Sequence, residues 1–205
     1  LMNRPPFLLC TLAAALTPVC PAADKIKVLI VDGQNNHKWQ DTTPVLVNAL
    51  ESAGCFAATV STTPDNKAPK EAWNDWHPKF SDYAVVVSNY NGQDWPETVR
   101  KDFEAFVKNG GGFVCVHAAD NSFPNWKAYN EMIGVGGWGG RDEKSGPWLH
   151  LRDGKPFRDT SEGKGGTHGK QHEFVVEIRN PDHPITQGLP AKWMHAQDEL
   201  YDRLR

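Results

Sequence analysis

Two histidines follow apolar runs at points where proton chemistry could occur. His117 comes directly after Phe113–Val116, and His37 ends the polar loop that begins at Asp32, after the apolar run 28–31. Histidine serves as a general acid, a general base or a metal ligand because its unperturbed pKa lies near neutrality. If both runs are parallel strands, their carboxyl ends share one edge of a sheet, where ligands bind in open α/β folds. The spacing therefore predicts a crevice that contains both histidines.

Further polar side chains follow the same predicted strand ends. Asn91 comes after the apolar run 83–88, and Asp120 and Asn121 follow His117 within the next few residues. Each of these residues could instead form a turn by bonding to its own backbone. Because three loops would converge on one crevice, we expect these side chains to bind a ligand there.

A glycine-rich run at 134–141 carries two residues suited to a sugar. Trp138 offers a ring on which a sugar could stack, and Arg141 offers several hydrogen-bond donors. Together they are expected to shape a sugar pocket. The alternative for the tryptophan is that its ring simply covers a glycine-rich surface.

Cys115 is a competing candidate for a nucleophile. A hydrolase nucleophile on this type of sheet sits at the tip of the strand, whereas Cys115 lies two residues earlier, inside the apolar run. We therefore predict a buried, unreactive thiol, with His117 in the tip position.

A metal is a second chemical hypothesis. His168 and His172 form an HxxxH pair, and His150 precedes them. This spacing binds a metal when both residues share a helical face, but a glycine-rich loop and a strand-like pattern surround the pair. A divalent ion such as zinc is one reading, and neutral hydrogen-bonded histidines are the other. No glycine fingerprint for phosphate stands between a strand and a helix, so no nucleotide cofactor is predicted.

The elements that would position these residues alternate between strand and helix, which predicts an α/β fold with a doubly wound, mostly parallel sheet. A helix is expected to start at the capping pair Thr42-Thr43 with Pro44 in its first turn. Beyond residue 121 the alternation fades, residues 142–171 look like a loop, and 172–178 reads as a partly exposed strand. The predicted strands are 25–31, 56–61, 83–88 and 113–116, and the clearest helix is 96–109.

The first 22 residues have the pattern of a secretory signal peptide. Arg4 precedes an apolar stretch from 7 to 19, which is too short to span a bilayer, and small residues follow at 20–23. A secreted or periplasmic protein is therefore expected, with 23–205 as one domain and no membrane segment after cleavage. The net charge of −3, without a basic run, argues against nucleic acid as a partner.

Four motifs, taken in order, resemble the ThuA-like (trehalose utilisation) family. The resemblance implies a flavodoxin-like fold, similar to class I glutamine amidotransferases, in which His117 stands where those enzymes have a nucleophilic cysteine. It implies that His37, His117 and Glu199 are site residues, and that the family domain continues beyond residue 205, so that this domain is expected to be truncated at its C-terminus. The motifs are Gly110–Ala119, Gly137–Arg141, Asp182–Pro190 and Asp198–Tyr201.

The resemblance and the local chemistry lead to one functional hypothesis. We expect a secreted carbohydrate-metabolism enzyme that acts on a small glycoside or keto-disaccharide, by histidine-based acid–base or metal-assisted chemistry. Glu199 would be its acid or an orienting carboxylate. The partner is then a small-molecule sugar, and the sequence leaves the oligomeric state open. A non-catalytic sugar-binding module is the alternative, and a cysteine hydrolase is a third, less favoured reading.

Overall fold

The computed structural model describes residues 24–205. The predicted signal peptide, residues 1–22, lies outside the described residues. Within the described range, no helix has both the length and the apolar character needed to cross a bilayer.

A parallel four-stranded sheet forms the centre of the fold. Its spatial order is β2-β1-β3-β4, which confirms the predicted α/β class with a mostly parallel sheet. The inner strand β1 is almost completely apolar because both of its faces are covered, and residues 28–31 are all buried. The strands are β1 (Ile26–Asp32), β2 (Phe56–Thr62), β3 (Val85–Ser88) and β4 (Gly112–Cys115).

Helices cover both faces of this sheet. On one face, Val28, Ile30 and Val87 pack against Leu46 and Leu50 of the first helix. On the other face lies a larger aromatic core. Four α-helices are present in the described range: α1 (Trp39–Ser52), α2 (Lys70–Asp75), α3 (Glu97–Lys108) and α4 (Lys127–Ile133).

The aromatic core explains why the sequence is rich in large rings. Trp95, Phe103 and Phe123 are all almost fully buried, and Trp95 makes edge-to-face contacts with the other two. Such contacts stabilise a core beyond simple burial of area. The rings fix α3 and the chain after β4 to the sheet, and so hold the elements from which the site is built.

The start of α1 corrects the sequence prediction. The helix begins at Trp39, three residues before Thr42, and Pro44 lies inside it. The threonines do not cap the helix, because they lie inside it, and their hydroxyls instead accept hydrogen bonds from the Asn89 side chain at 2.9 and 3.0 Å. A tertiary contact therefore uses the hydroxyls that resembled a cap in the sequence.

The region 142–171 is not a plain loop, contrary to the sequence prediction. It contains the hairpin of β5 (Trp148–Arg152) and β6 (Lys155–Asp159), followed by β7 (Thr167–His168). The hairpin turn is Asp153-Gly154, in which both residues have positive φ, as a two-residue hairpin requires. The strands were hidden because their side chains are mostly exposed, which removes the apolar alternation that marks a strand.

The last strands form two more antiparallel pairs. The strand β8 (His172–Glu177), predicted as 172–178, pairs with β9 (Lys192–Asp198). The short strand β7 pairs with β10 (Tyr201–Asp202), so that Tyr201 lies opposite His168. This second pairing brings the end of the chain to the carboxyl edge of the central sheet.

Candidate functional site

The two histidines predicted to share a crevice are in contact. His37 follows β1 and His117 follows β4, and β3 lies between these two strands. The Nε2 atoms of the two rings are 3.0 Å apart, with ring centroids separated by 4.6 Å. At this distance one imidazole donates a hydrogen bond and the other accepts it.

The backbone at His117 is held in an unusual conformation. The residue has φ +48° and begins a short 3₁₀ helix over 117–121, just beyond the end of β4. A left-handed non-glycine residue costs about 1–3 kcal/mol, and such strain tends to cluster at functional sites. The residues that follow, Ala118 and Ala119, are buried, which anchors this turn and leaves the imidazole at the sheet edge.

Electrostatics favour the neutral form of His117. Partial burial lowers its pKa below the usual value, and the neighbouring His37 lowers it further. The carboxylates of Asp198 and Glu199 act in the opposite direction but more weakly. A neutral imidazole has a free lone pair, so His117 is suited to accept a proton at neutral pH.

Tyr201 belongs to the site and was not predicted from the sequence. Its hydroxyl lies 3.4 Å from Nε2 of His117, and its ring stacks on that imidazole at 5.3 Å between centroids. Burial is the main reason why its pKa rises to about 12, so the hydroxyl keeps its proton. Tyr201 is the last residue of the Asp198–Tyr201 motif, in which the family resemblance points only to Glu199 as a site residue.

A pocket of about 430 Å³ opens beside the pair, and we call it the polar pocket. It brings together the predicted residues His37, Asn91, Asn121 and Trp138 with Glu199. Asn91 donates to Oδ1 of Asn36 at 2.8 Å, and Oδ1 of Asn121 is buried without a partner among residues 24–205. The complete lining is Asn36, His37, Asn91, Asn121, Trp138, Gly139, His168, Glu199 and Tyr201.

Glu199 lies beside a histidine outside the His37–His117 pair. Its Oε1 is 3.8 Å from Nε2 of His168, on the wall of the polar pocket. The pairing of β7 with β10 produces this contact, because it sets residues 168 and 201 opposite each other. The predicted role of Glu199 as an acid or orienting carboxylate therefore stays a prediction, with His168 as its neighbour.

The three histidines considered for a metal are not assembled into a site. His150 lies on β5 beside Asp159, at 4.0 Å, while His168 and His172 lie on β7 and β8, which pair with different partners. Within residues 24–205, no group of three or more His, Cys, Asp or Glu side chains could hold a metal ion. The HxxxH spacing fails here because the segment is extended, so the two rings do not share a helical face.

Arg141 is structural, which corrects its assignment to the sugar pocket. The side chain is only 2% exposed, and all five of its N–H groups are used inside the protein. They bond to Oδ1 of Asn130 and to the carbonyl oxygens of Asn121, Ser122 and Gly137. The guanidinium therefore has no donor left for a ligand, and it instead fixes the loop that follows the 3₁₀ helix.

Asp120 and Cys115 do not line the polar pocket, and both line a smaller pocket next to His117. Burial raises the pKa of the Asp120 carboxyl to about 6, although Arg141 acts to lower it. Burial likewise raises the pKa of the Cys115 thiol to about 11, so little thiolate exists at neutral pH. This supports the prediction that Cys115 is not a nucleophile.

These observations define an α/β protein with an open parallel sheet and a histidine-centred site at the carboxyl edge of its strands. The family model described as ThuA, trehalose utilisation, matches residues 27–205. The chain therefore belongs to the ThuA family, as its motifs predicted. No match was found among curated proteins.

Two solved structures are similar to this chain. A ThuA-like protein from Parabacteroides merdae ATCC 43184 has 46% sequence identity and a TM-score of 0.84, over 89% of this chain. A ThuA-like protein from Bacteroides uniformis ATCC 8492 has 22% identity and a TM-score of 0.56 over 90% of this chain, which shows the shared fold. The present chain spans 64% of the length of each of these two proteins.

Proposed function

We propose that this chain is a secreted enzyme of carbohydrate metabolism that acts on a small glycoside or keto-disaccharide through the His37–His117 pair. Membership of a family described by trehalose utilisation supports the carbohydrate role. The observation that carries the enzyme proposal is the 3.0 Å contact between the two Nε2 atoms beside the polar pocket.

The contact suits the pair to acid–base chemistry. If both imidazoles were protonated, two positive charges would lie about 3 Å apart, which is strongly unfavourable. The pair therefore carries at most one positive charge near neutral pH, and offers one donor and one acceptor at the same place. His117 is the proposed base because its pKa is lowered.

A keto-disaccharide matches this pair of groups. A ketone at C3 of a sugar makes the proton on C2 acidic, and the glycosidic oxygen on C1 is then positioned to leave. His117 would take the C2 proton, the C2–H electrons would form a C1=C2 double bond, and the C1–O bond would break. The departing oxygen takes a proton from the pair or from the Tyr201 hydroxyl, 3.4 Å from His117.

The polar pocket favours an uncharged sugar. Its carboxamides and imidazoles match hydroxyl groups, and Trp138 offers a ring surface. In the part of the chain that the structure describes, no Lys or Arg lines this pocket, whereas Glu199 does. A sugar phosphate would bring negative charge towards this carboxylate without a compensating cation. We therefore propose a neutral substrate.

The proposal is tested with the purified mature protein, from which only the predicted signal peptide has been removed. Disaccharides and their 3-keto forms are incubated in D₂O, and both product release and deuterium at C2 are measured by NMR. Exchange or cleavage of a 3-keto form supports proton abstraction. Tight binding of sugars without exchange or turnover would leave a non-catalytic binding module as the function.

Replacement of Tyr201 by phenylalanine is expected to reduce turnover by about three- to tenfold, the effect of one lost hydrogen bond. The aromatic contacts with His117 and Trp138 would be retained, so the melting temperature should stay close to that of the wild type. Tyr83→Phe is the matched control and should leave turnover unchanged, because Tyr83 precedes the amino end of β3 and the site lies at the carboxyl ends of the strands. A wild-type rate in Tyr201→Phe would exclude the hydroxyl from the reaction.

The rate is also expected to depend on pH in a defined direction. A base must be deprotonated, so kcat/KM should fall only as the pH drops below the usual histidine value of about 6.5. Because Glu199 raises the pKa of His117, Glu199→Gln should move this acidic limb to lower pH, by about half a pH unit. Glu173→Gln, on the exposed part of β8, is the control. A shift of the limb to higher pH would contradict the role of His117 as the base.

Secretion is a separate part of the proposal. It depends on residues 1–22, whose structure is not described. A carboxyl-terminal tag on the full chain, followed by fractionation of the expressing bacteria, should find the protein outside the cytoplasm. Retention of the complete chain in the cytoplasmic fraction would refute it.

A further inference from the structure

A second, smaller pocket shares Tyr201 with the polar pocket. It has a volume of about 280 Å³. His117 lines this pocket, whereas His37 lines the polar pocket. We call it the aliphatic pocket. Its lining is Cys115, His117, Asp120, Ile133, Val135 and Tyr201.

The chemistry of the aliphatic pocket differs from that of the polar pocket. Ile133 and Val135 supply branched apolar side chains, and the thiol of Cys115, with its pKa of about 11, behaves as a small apolar group. The ring of Tyr201 adds another apolar surface. Asp120 is the one carboxyl among its lining residues, whereas the polar pocket is lined by three asparagines, two histidines and a glutamate.

The catalytic groups lie at the boundary between the two pockets. His37 from the polar pocket and His117 from the aliphatic pocket meet at 3.0 Å, and the Tyr201 hydroxyl is 3.4 Å from His117. Because Tyr201 lines both pockets, and each histidine lines one of them, a ligand that reaches from one pocket into the other passes these three side chains. That is where a glycosidic oxygen must lie if the pair is to protonate it.

We propose that the aliphatic pocket binds the leaving group of a glycoside, and that this group presents an apolar face such as an aryl or alkyl surface. The sugar ring occupies the polar pocket. This inference rests on the proposed function. Small-molecule sites range upward from about 300 Å³, so the polar pocket, at about 430 Å³, has room for a sugar, and the aliphatic pocket, at about 280 Å³, suits a single ring-sized group. Because different side chains line the two pockets, we expect an unsymmetrical glycoside to bind more tightly than a symmetrical one.

The test compares three probes by isothermal titration calorimetry: D-glucose, methyl α-D-glucoside and phenyl α-D-glucoside. Chromatography checks that each probe remains intact. The phenyl glucoside is expected to bind about tenfold more tightly than the methyl glucoside, because one face of its ring leaves water for the side chains of Ile133 and Val135. Val135→Phe, which fills the aliphatic pocket, should abolish this gain and leave the affinity for glucose unchanged.

Two further variants make the result decisive. Val45→Phe, on the exposed surface of α1, is the matched control and should retain the full gain. Ile133→Phe fills the same pocket from α4 and replaces Val135→Phe if circular dichroism shows that the latter does not fold.

The outcomes separate this inference from the proposed function. If glucose binds but the phenyl group adds no affinity, or if the gain survives a folded pocket-filling variant, the aliphatic pocket is not a leaving-group site, while the proposed function stands. If none of the three probes binds and no 3-keto form reacts, the proposed function fails, and this inference fails with it.

Discussion

Replacement of His117 by asparagine is expected to reduce turnover at least about 100-fold, because general acid–base catalysis contributes about 10²- to 10⁴-fold. Asparagine tolerates the left-handed backbone, φ +48° at this position, so the turn after β4 should survive. It cannot accept and release a proton as an imidazole does. Initial rates with the 3-keto form that proves to be the substrate, together with a melting curve, measure the two effects separately.

Cys115→Ala is the matched control for this loss. The thiol lies two residues before His117, but its raised pKa and its 3.9 Å contact with the Tyr129 hydroxyl indicate a packing role. We expect turnover to stay within about twofold of the wild type, since no reactive thiolate is removed and the loss of one sulfur atom changes the wall of the aliphatic pocket only slightly. If native alkylation of Cys115 abolished an activity that His117→Asn retained, the cysteine hydrolase reading would replace the histidine mechanism.

The second large effect is on stability, and it concerns Arg141. Arg141→Met keeps most of the side-chain volume but removes five N–H donors from a buried position. The carbonyl oxygens of Ser122 and Gly137 and the Asn130 side chain would lose these bonds. We expect the free energy of unfolding to fall by about 3 kcal/mol or more, since buried acceptors of a charged donor are left unpaired.

Urea denaturation at neutral pH measures this loss. Arg179→Met, at an exposed position, should change the free energy of unfolding by less than about 0.5 kcal/mol. Arg141→Lys should also be destabilising, because an ammonium group cannot supply the planar set of donors. If Arg141→Met were as stable as the wild type but bound sugar weakly, the original assignment of Arg141 to the sugar pocket would be restored.

The same network links stability to the site. Arg141 bonds to the carbonyl oxygen of Asn121, the last residue of the 3₁₀ helix that begins at His117, and to that of Ser122, the next residue. The turn that carries His117, the proposed base, is therefore fixed by a side chain that does not line the polar pocket. Loss of these bonds should affect turnover only through the position of this loop.

The central sheet was predictable because buried parallel strands leave a strong signal. Residues 28–31 are all buried, and their continuous apolar run predicted β1 to within one residue at each end. The hairpin of β5 and β6 left no such signal, since its side chains are mainly exposed. The pair Thr42-Thr43 was a misleading signal for the start of α1, because its hydroxyls bind Asn89, which is far away in the sequence, and do not cap the helix.

The sequence by itself determined the fold class, the family motifs and the presence of His37 and His117 at one sheet edge. This was possible because parallel strands with short following loops must deliver their ends to the same side. Only the tertiary structure decided that Tyr201 joins the pair, that Arg141 is buried and that His150, His168 and His172 lie on three different strands. These facts depend on antiparallel pairings and burial between distant segments, such as 167–168 with 201–202, which local patterns do not encode.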